Sequence, residues 1–375
     1  MTPQRRFREA LLFGNPDKIP LNPGGPREST RAIWRTQGLP PDVDYYEYLM
    51  KLLNIDPELP DERVGPGISF KMIPTFEEKV IEHKNGHYIV QDWMGAITEI
   101  SDDYDYTYIR SAKDFVTRKW HKFPVETRED WQEMKKRYDP KHPERFAPDF
   151  EERCRKLLNR NYVSDFQVNG PFWQLREWVG MENLCIMMLD DPQFVEDMVE
   201  FWIDFVSETM APLLERVELD RVGISEDMAF KIHSMISPEM ARHFLQPAYK
   251  RWVAEIKASN CPIVDMDSDG FVGELIPIWI ESGINVCDPI EVAAGNDIVE
   301  FRQQFGRQMA YTGGIDKRAL AKGGKVMRDE VLRVVPPLLI DGGFIPGCDH
   351  GVPPDISWQN FVEYSRLLAE LCGWL

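Results

Sequence analysis

The sequence predicts an α/β protein, a (β/α)8 TIM barrel with N-terminal helical and β-hairpin additions, organised as a single domain over residues 1–375. Three observations carry that expectation. From residue 161 onward, short apolar runs alternate with helix-length segments, the rhythm of parallel βαβ units. Counted from Pro20, the runs approach the eight that a closed barrel needs. No Gly-x-Gly-x-x-Gly opens a helix after a strand and no P-loop is present, so an open dinucleotide-binding sheet lacks its usual signature.

Composition narrows the partners. With 43% hydrophobic residues, 375 residues fill one large core, and a formal charge of −18 argues against a nucleic-acid footprint, which needs a basic face. The six cysteines are widely spaced, no leader of signal type stands at the N-terminus, and no apolar run reaches bilayer length. The expectation is a cytoplasmic protein with free thiols and no membrane contact.

In chain order, Lys18-Ile19-Pro20-Leu21 begins a short strand that enters a Gly/Pro turn, where Arg27 and Arg31 either meet an anionic substrate or form surface ion pairs. Alternation on either side of Asn85-Gly86 predicts a β-hairpin. It continues to Asp92-Trp93-Met94-Gly95, where Trp93 either covers a pocket or anchors the core. Residues 101–149 read as an irregular arm with short helices, suited to a homodimer contact without specifying one. Residues 1–160 thus hold the additions, and 161–375 the regular units.

A strand over 162–168 ends at Asn169, and helices follow around 175–188 and from Pro192 to about Arg216. The next strand runs from Arg221 into Glu226 and Asp227. Ser237-Pro238-Glu239 starts a helix that Pro247 kinks or divides. Strands over 263–266, 284–287, 309–312 and 344–346 then alternate with helices over 272–281, 297–305, 325–339 and 358–371.

Polar residues at the carboxyl ends of barrel strands converge on one mouth. Here these are Asn169, Glu226 and Asp227, Asp267 and Asp269, Cys287 and Asp288, Tyr311 and Thr312, and Cys348 with His350. The ring suits general acid/base work by partly dry carboxylates, or a zinc shell of two thiolates and one or two carboxylates. Against it, Cys287 also reads as a small core residue, and Asp267 and Asp269 as helix caps. His83 and His87 straddle the hairpin turn, which is no ligand geometry.

Four segments, Ser237-Pro238-Glu239-Met240, Asp267-Ser268-Asp269-Gly270, Tyr311 through Asp316, and Gly343 through Asp355, resemble the uroporphyrinogen decarboxylase superfamily. The likeness is close over residues 160–375 and loose before them. It implies a (β/α)8 barrel that is either a porphyrinogen decarboxylase or a methyltransferase working with a corrinoid protein. The arginine-bearing N-terminal motif of the decarboxylases is missing, and only Arg27 and Arg31 echo it. Zinc methyltransferases of the superfamily carry His-x-Cys on one strand end and Cys on the last. Here Asp267-x-Asp269 stands in the first place, Cys348 in the last, and Cys287 between them.

The resemblance therefore implies a zinc-dependent methyltransferase that moves a methyl group from a small O-methyl donor to a corrinoid protein. Asp267, Asp269, Cys287 and Cys348 would hold zinc, Glu226, Asp227 or His350 would supply the proton, and Trp93, Asn169, Phe172 and Tyr311 would contact substrate, with Trp173 beside them. The corrinoid is expected on a partner, since Asp-x-His-x-x-Gly is absent. A decarboxylase and a non-catalytic binding barrel are the alternatives.

Overall fold

The computed structural model describes residues 1–60, 62–111 and 116–375. Its centre is a parallel sheet of six strands: β5 (Asp165–Asn169), β6 (Arg221–Ser225), β7 (Ile263–Asp267), β8 (Val286–Asp288), β9 (Ala310–Ile315) and β10 (Phe344–Cys348). They pair in sequence order, each neighbour joined by a helical crossover, as strict βαβ alternation dictates. Four strands stand before them in the chain and form a separate antiparallel sheet: β1 (Lys79–Lys84), β2 (His87–Gln91), β3 (Ile97–Ser101) and β4 (Arg118–Lys122).

The expected hairpin is the β1–β2 pair, and both turn residues, Asn85 and Gly86, take positive φ. The arm is more regular than expected: it contributes β4 and the helix Arg128–Lys135, with Thr127 and Asp130 forming a capping box. Residues 112–115 of the arm lie outside the described residues. The helix break near Pro247 is a π-turn over Ala241–Leu245.

The first expected strand is not a regular one. Residues 21–26 run beside β10, whose Cys348 N–H bonds the Pro23 carbonyl at 3.4 Å, and past its end through a parallel bridge between Pro26 and Val352 and a Val352 N–H bond to the Gly25 carbonyl. Pro20, Pro23 and Pro26 have no N–H to give, so the ladder stays incomplete. Gly24, at φ +110, lets this segment lie against Cys348, because a β-carbon there would come within 3.0 Å of the Cys348 side chain.

The two faces of the parallel sheet differ in chemistry. On the outer face Val168, Ile224, Met266, Cys287, Tyr311 and Phe344 are buried in the main core with the helices. The lower inner face, Ile263, Val286, Ala310 and Ile345, packs against Ala10 and Leu11 of the helix Pro3–Leu11. Arg8 holds that helix in place through the fully buried Asp220 at 2.5 Å. Above this plug the inner face is polar.

Candidate active site at the carboxyl end of the sheet

Side chains alternate along a strand, so residues in register on neighbouring strands share a face. Ser225, Asp267 and Asp288 are in register across β6, β7 and β8, on the inner face. Gln167 donates to the Ser225 hydroxyl at 2.5 Å and to Asp267 Oδ2 at 3.0 Å, and the Ser225 hydroxyl donates to the same Oδ2 at 3.2 Å. Thr312 donates to Asp288 Oδ1. Below them Arg221 grips Asp265 with two bonds of 2.8 and 2.7 Å.

Burial and three neighbouring carboxylates, Asp288, Asp265 and Asp269, push Asp267 up to about 7. It therefore holds a proton close to neutral pH. Two donors already occupy Oδ2, so the proton belongs on Oδ1.

The loops above carry a second layer. His350 Nε2 meets Asp269 Oδ2 at 3.0 Å, while its Nδ1 accepts from the Gly351 N–H at 2.7 Å and lies 3.5 Å from Arg27. Asp269 pulls the His350 pKa up, against burial and the charges of Lys317 and Arg27. Asp227, a non-glycine residue at φ +44, is held by Arg176 through its carbonyl at 2.9 Å and its carboxylate at 3.3 Å. Burial raises its pKa, Arg176 opposes the rise, and Asp269 and Glu291 add to it. Lys317 pairs with Glu291 at 2.9 Å. Beneath them Asp349, fully buried, accepts from the Val292 and Lys317 amides and so fixes the loops after β8 and β9 to β10.

Beside β5 opens a cleft of about 340 Å³, bounded by Trp93 from the antiparallel sheet, Trp173 and Glu177 from the helix Pro171–Val179, Asn169, Lys71 and Gln167. Gln167 belongs to both places: it lines the cleft and bonds Asp267. Arg176 is the second link, stacked 4.7 Å from the Trp173 ring while it holds Asp227.

A family match fits this arrangement. The profile described as Uroporphyrinogen decarboxylase (URO-D) matches residues 121–368. The chain belongs to the uroporphyrinogen decarboxylase family. Among solved structures it is similar to a methyltransferase from Methanosarcina mazei, with 12% identity and a TM-score of 0.54, over 99% of this chain and 98% of that one. A protein from Listeria monocytogenes proposed as a vitamin-B12-independent methionine synthase matches 57% of this chain and 64% of its own, at 11% identity and a TM-score of 0.32. No curated protein matches the sequence. At such identities these structures speak for the fold alone.

Within this family member the expected site residues divide. Asp267, Asp269, His350 and Asp227 gather at the mouth, and Trp93 and Asn169 line the cleft. Glu226 does not join them. It is fully buried, accepts from the Trp173 amide at 2.9 Å and from the Tyr249 hydroxyl, and so caps the helix Pro171–Val179. Desolvation there lifts its pKa to about 7. Phe172 and Tyr311, expected at the substrate, are fully buried in the main core.

The expected zinc shell is not assembled. Cys287 sits on the outer face, in register with Met266 and Tyr311, one residue out of phase with Asp267 and Asp288. Cys348, three residues beyond the inward Ile345, faces outward as well and packs in the main core. Burial drives the Cys287 thiol well above its ordinary pKa and the Cys348 thiol up to about 12. Among the described residues no group of three or more His, Cys, Asp or Glu side chains is placed to hold a metal ion. The four donors do not fit a shared zinc.

Gln167, Ser225, Arg221 and Asp265 were not among the expected site residues. Their signal was the period-2 polarity of Asp165-x-Gln167-x-Asn169 and Asp265-x-Asp267, which marks an inner face too polar for a packed barrel core.

Proposed function

We propose that this protein is a methyltransferase that takes a methyl group from an oxygen of a small substrate, with Asp267 as the general acid. Family membership and a methyltransferase-like fold support the class. The observation that carries the reading is the placement of Asp267 in register with Asp288, bonded by Gln167 and Ser225, where burial and the neighbouring carboxylates push its pKa up to about 7. We further propose that residues 21–26, along β10, and 68–72, near β5, complete a (β/α)8 barrel around this mouth; Phe70 stacks on Phe166 at 5.4 Å.

In the reaction the carbon–oxygen bond of the donor breaks. The methyl group passes to the nucleophilic acceptor and the bond's electron pair stays on oxygen. Asp267 gives that oxygen its Oδ1 proton and is left as a carboxylate, which solvent reprotonates. Protonation of the leaving oxygen supplies the assistance that the resemblance had assigned to zinc. The acceptor is assigned, on the resemblance alone, to a corrinoid carried by a separate protein.

The mouth opposes the decarboxylase alternative. Asp227, Asp267, Asp269, Asp288 and Glu291 face it, which disfavours a tetrapyrrole bearing many carboxylates. The test is to mix the protein with reduced cobalamin and a series of methoxylated aromatic compounds and follow methylcobalamin by its visible spectrum. Uroporphyrinogen is assayed in parallel for CO2. Methyl transfer supports the proposal, and CO2 release without methyl transfer overturns it.

A further inference from the structure

We infer that the cleft beside β5 is the substrate seat and that it takes a single aromatic ring carrying one anionic group, with that group at Lys71 and the reacting oxygen toward Gln167. This rests on the methyl-transfer reading for the meaning of the reacting oxygen, but the binding it describes stands by itself.

The cleft has the size and lining for one ring. Its volume is about 340 Å³, and Trp93 and Trp173 present indole surfaces to it. Such faces hold a planar ring at low conformational cost. The far end reaches Gln167, whose amide donates to Asp267 at 3.0 Å, so a substituent at that end is one side chain away from Asp267.

Several other polar groups of the cleft already have partners. Asn169 donates to Gln174 at 3.2 Å, Gln174 donates to Tyr138 at 3.3 Å, and the Trp173 indole N–H donates to Glu177 at 2.8 Å. Glu177 is raised in pKa by burial, which weakens its repulsion of an anion. Lys71 is the cation of this lining, with its ammonium 5.6 Å from the Trp93 ring centre. Its backbone is fixed: the fully buried Arg145 donates to the carbonyls of Lys71 and Ser69 on one side and of Arg137 and Asp139 on the other. The Lys71 side chain itself is exposed, and its ammonium above an indole, carried on a fixed backbone, suits one carboxylate on a ring lying against that indole. It matches one anionic group and not many, in keeping with the acidic rim beyond.

The probes are 4-methoxybenzoate and its uncharged counterpart 4-methoxybenzyl alcohol, titrated into the full-length protein with tryptophan fluorescence as the readout and no cobalamin present. The expected result is binding of the benzoate about tenfold tighter than of the alcohol. Lys71→Gln removes that preference and leaves alcohol binding unchanged, and Trp93→Leu weakens both. Equal binding of the two probes, a preference that survives Lys71→Gln, or no benzoate binding at millimolar concentration overturns the inference. Preferential binding without any methyl transfer to cobalamin sinks the proposed reaction and leaves this site standing. Efficient transfer from the alcohol ether with no preference for the benzoate does the reverse.

Discussion

Asp267 and Asp288 lie in register on adjacent parallel strands, with both carboxylates on the inner face and each already accepting from a hydroxyl, Ser225 for one and Thr312 for the other. Two carboxylates so placed in a partly dry pocket resist sharing two negative charges. Asp267 has its pKa pushed up to about 7 against an ordinary value of 3.8. Activity that needs this proton is expected to fall as pH rises through about 7. Asp267→Asn should lower kcat by about 10²- to 10⁴-fold and abolish that limb of the pH–rate profile. Stability follows the same proton. A folded-state pKa above the unfolded one contributes stability that is full below about pH 4 and lost as pH rises through about 7. Melting temperatures of wild type and Asp267→Asn across that window should therefore diverge, with the wild type losing ground toward alkaline pH.

The neighbouring charge is separable from the acid itself. Asp288 is the largest electrostatic contributor to the Asp267 shift after burial. Asp288→Asn is expected to keep Asp267 as the acid but to move the alkaline limb to lower pH. A pH–rate profile of this variant that overlays the wild type would show that the Asp288 carboxyl does not act on Asp267.

Glu226 looks like a proton donor by its position after β6 and behaves as an anchor by its contacts. Its carboxyl joins the start of the helix Pro171–Val179 to Tyr249, with no exposed surface. Glu226→Ala leaves a buried amide and a buried hydroxyl without their acceptor, which is expected to cost about 2–4 kcal/mol in denaturant unfolding. Glu226→Gln keeps an acceptor oxygen and should restore most of that loss. Neither change should move the pH–rate limb assigned to Asp267.

Much of this was legible in the sequence, for physical reasons that also mark where it failed. Strand and helix periods differ, so the regular units after residue 161 could be read, and the helix Trp358–Leu371 matches its expected limits. Asn85-Gly86 announced its hairpin because few dipeptides tolerate two positive φ values. The extended segment over residues 20–26 is blurred by three prolines, Pro20, Pro23 and Pro26, that cannot donate to a ladder. At the site, position near a strand end was legible but phase was not used. Cys287 and Asp288 are adjacent in sequence and point to opposite faces, and the same rule turns Cys348 away from the mouth. Glu226 and Phe172 show another gap, since burial by distant segments such as the helix Gln246–Ala258 leaves no local mark.

The cysteines provide the sharpest separation between the ligand set implied by resemblance and the packing observed. Cys287 is fully buried and Cys348 nearly so, both in the main core, and their thiols are held far from ionisation at neutral pH. Replacement by alanine removes one sulfur from a packed site, so Cys287→Ala and Cys348→Ala should each cost about 1–2 kcal/mol. Their zinc content by elemental analysis should equal that of wild type, whatever that content is. Reactivity toward a thiol reagent in the native state offers a check free of any assay for turnover. Of the six free cysteines only Cys185 is partly exposed. Native protein should therefore modify at Cys185 alone, slowly because burial raises its pKa, and all six should react after unfolding in denaturant. Rapid native labelling of Cys348, or loss of bound zinc on its replacement, would return that thiol to the mouth and overturn the outward placement of β10.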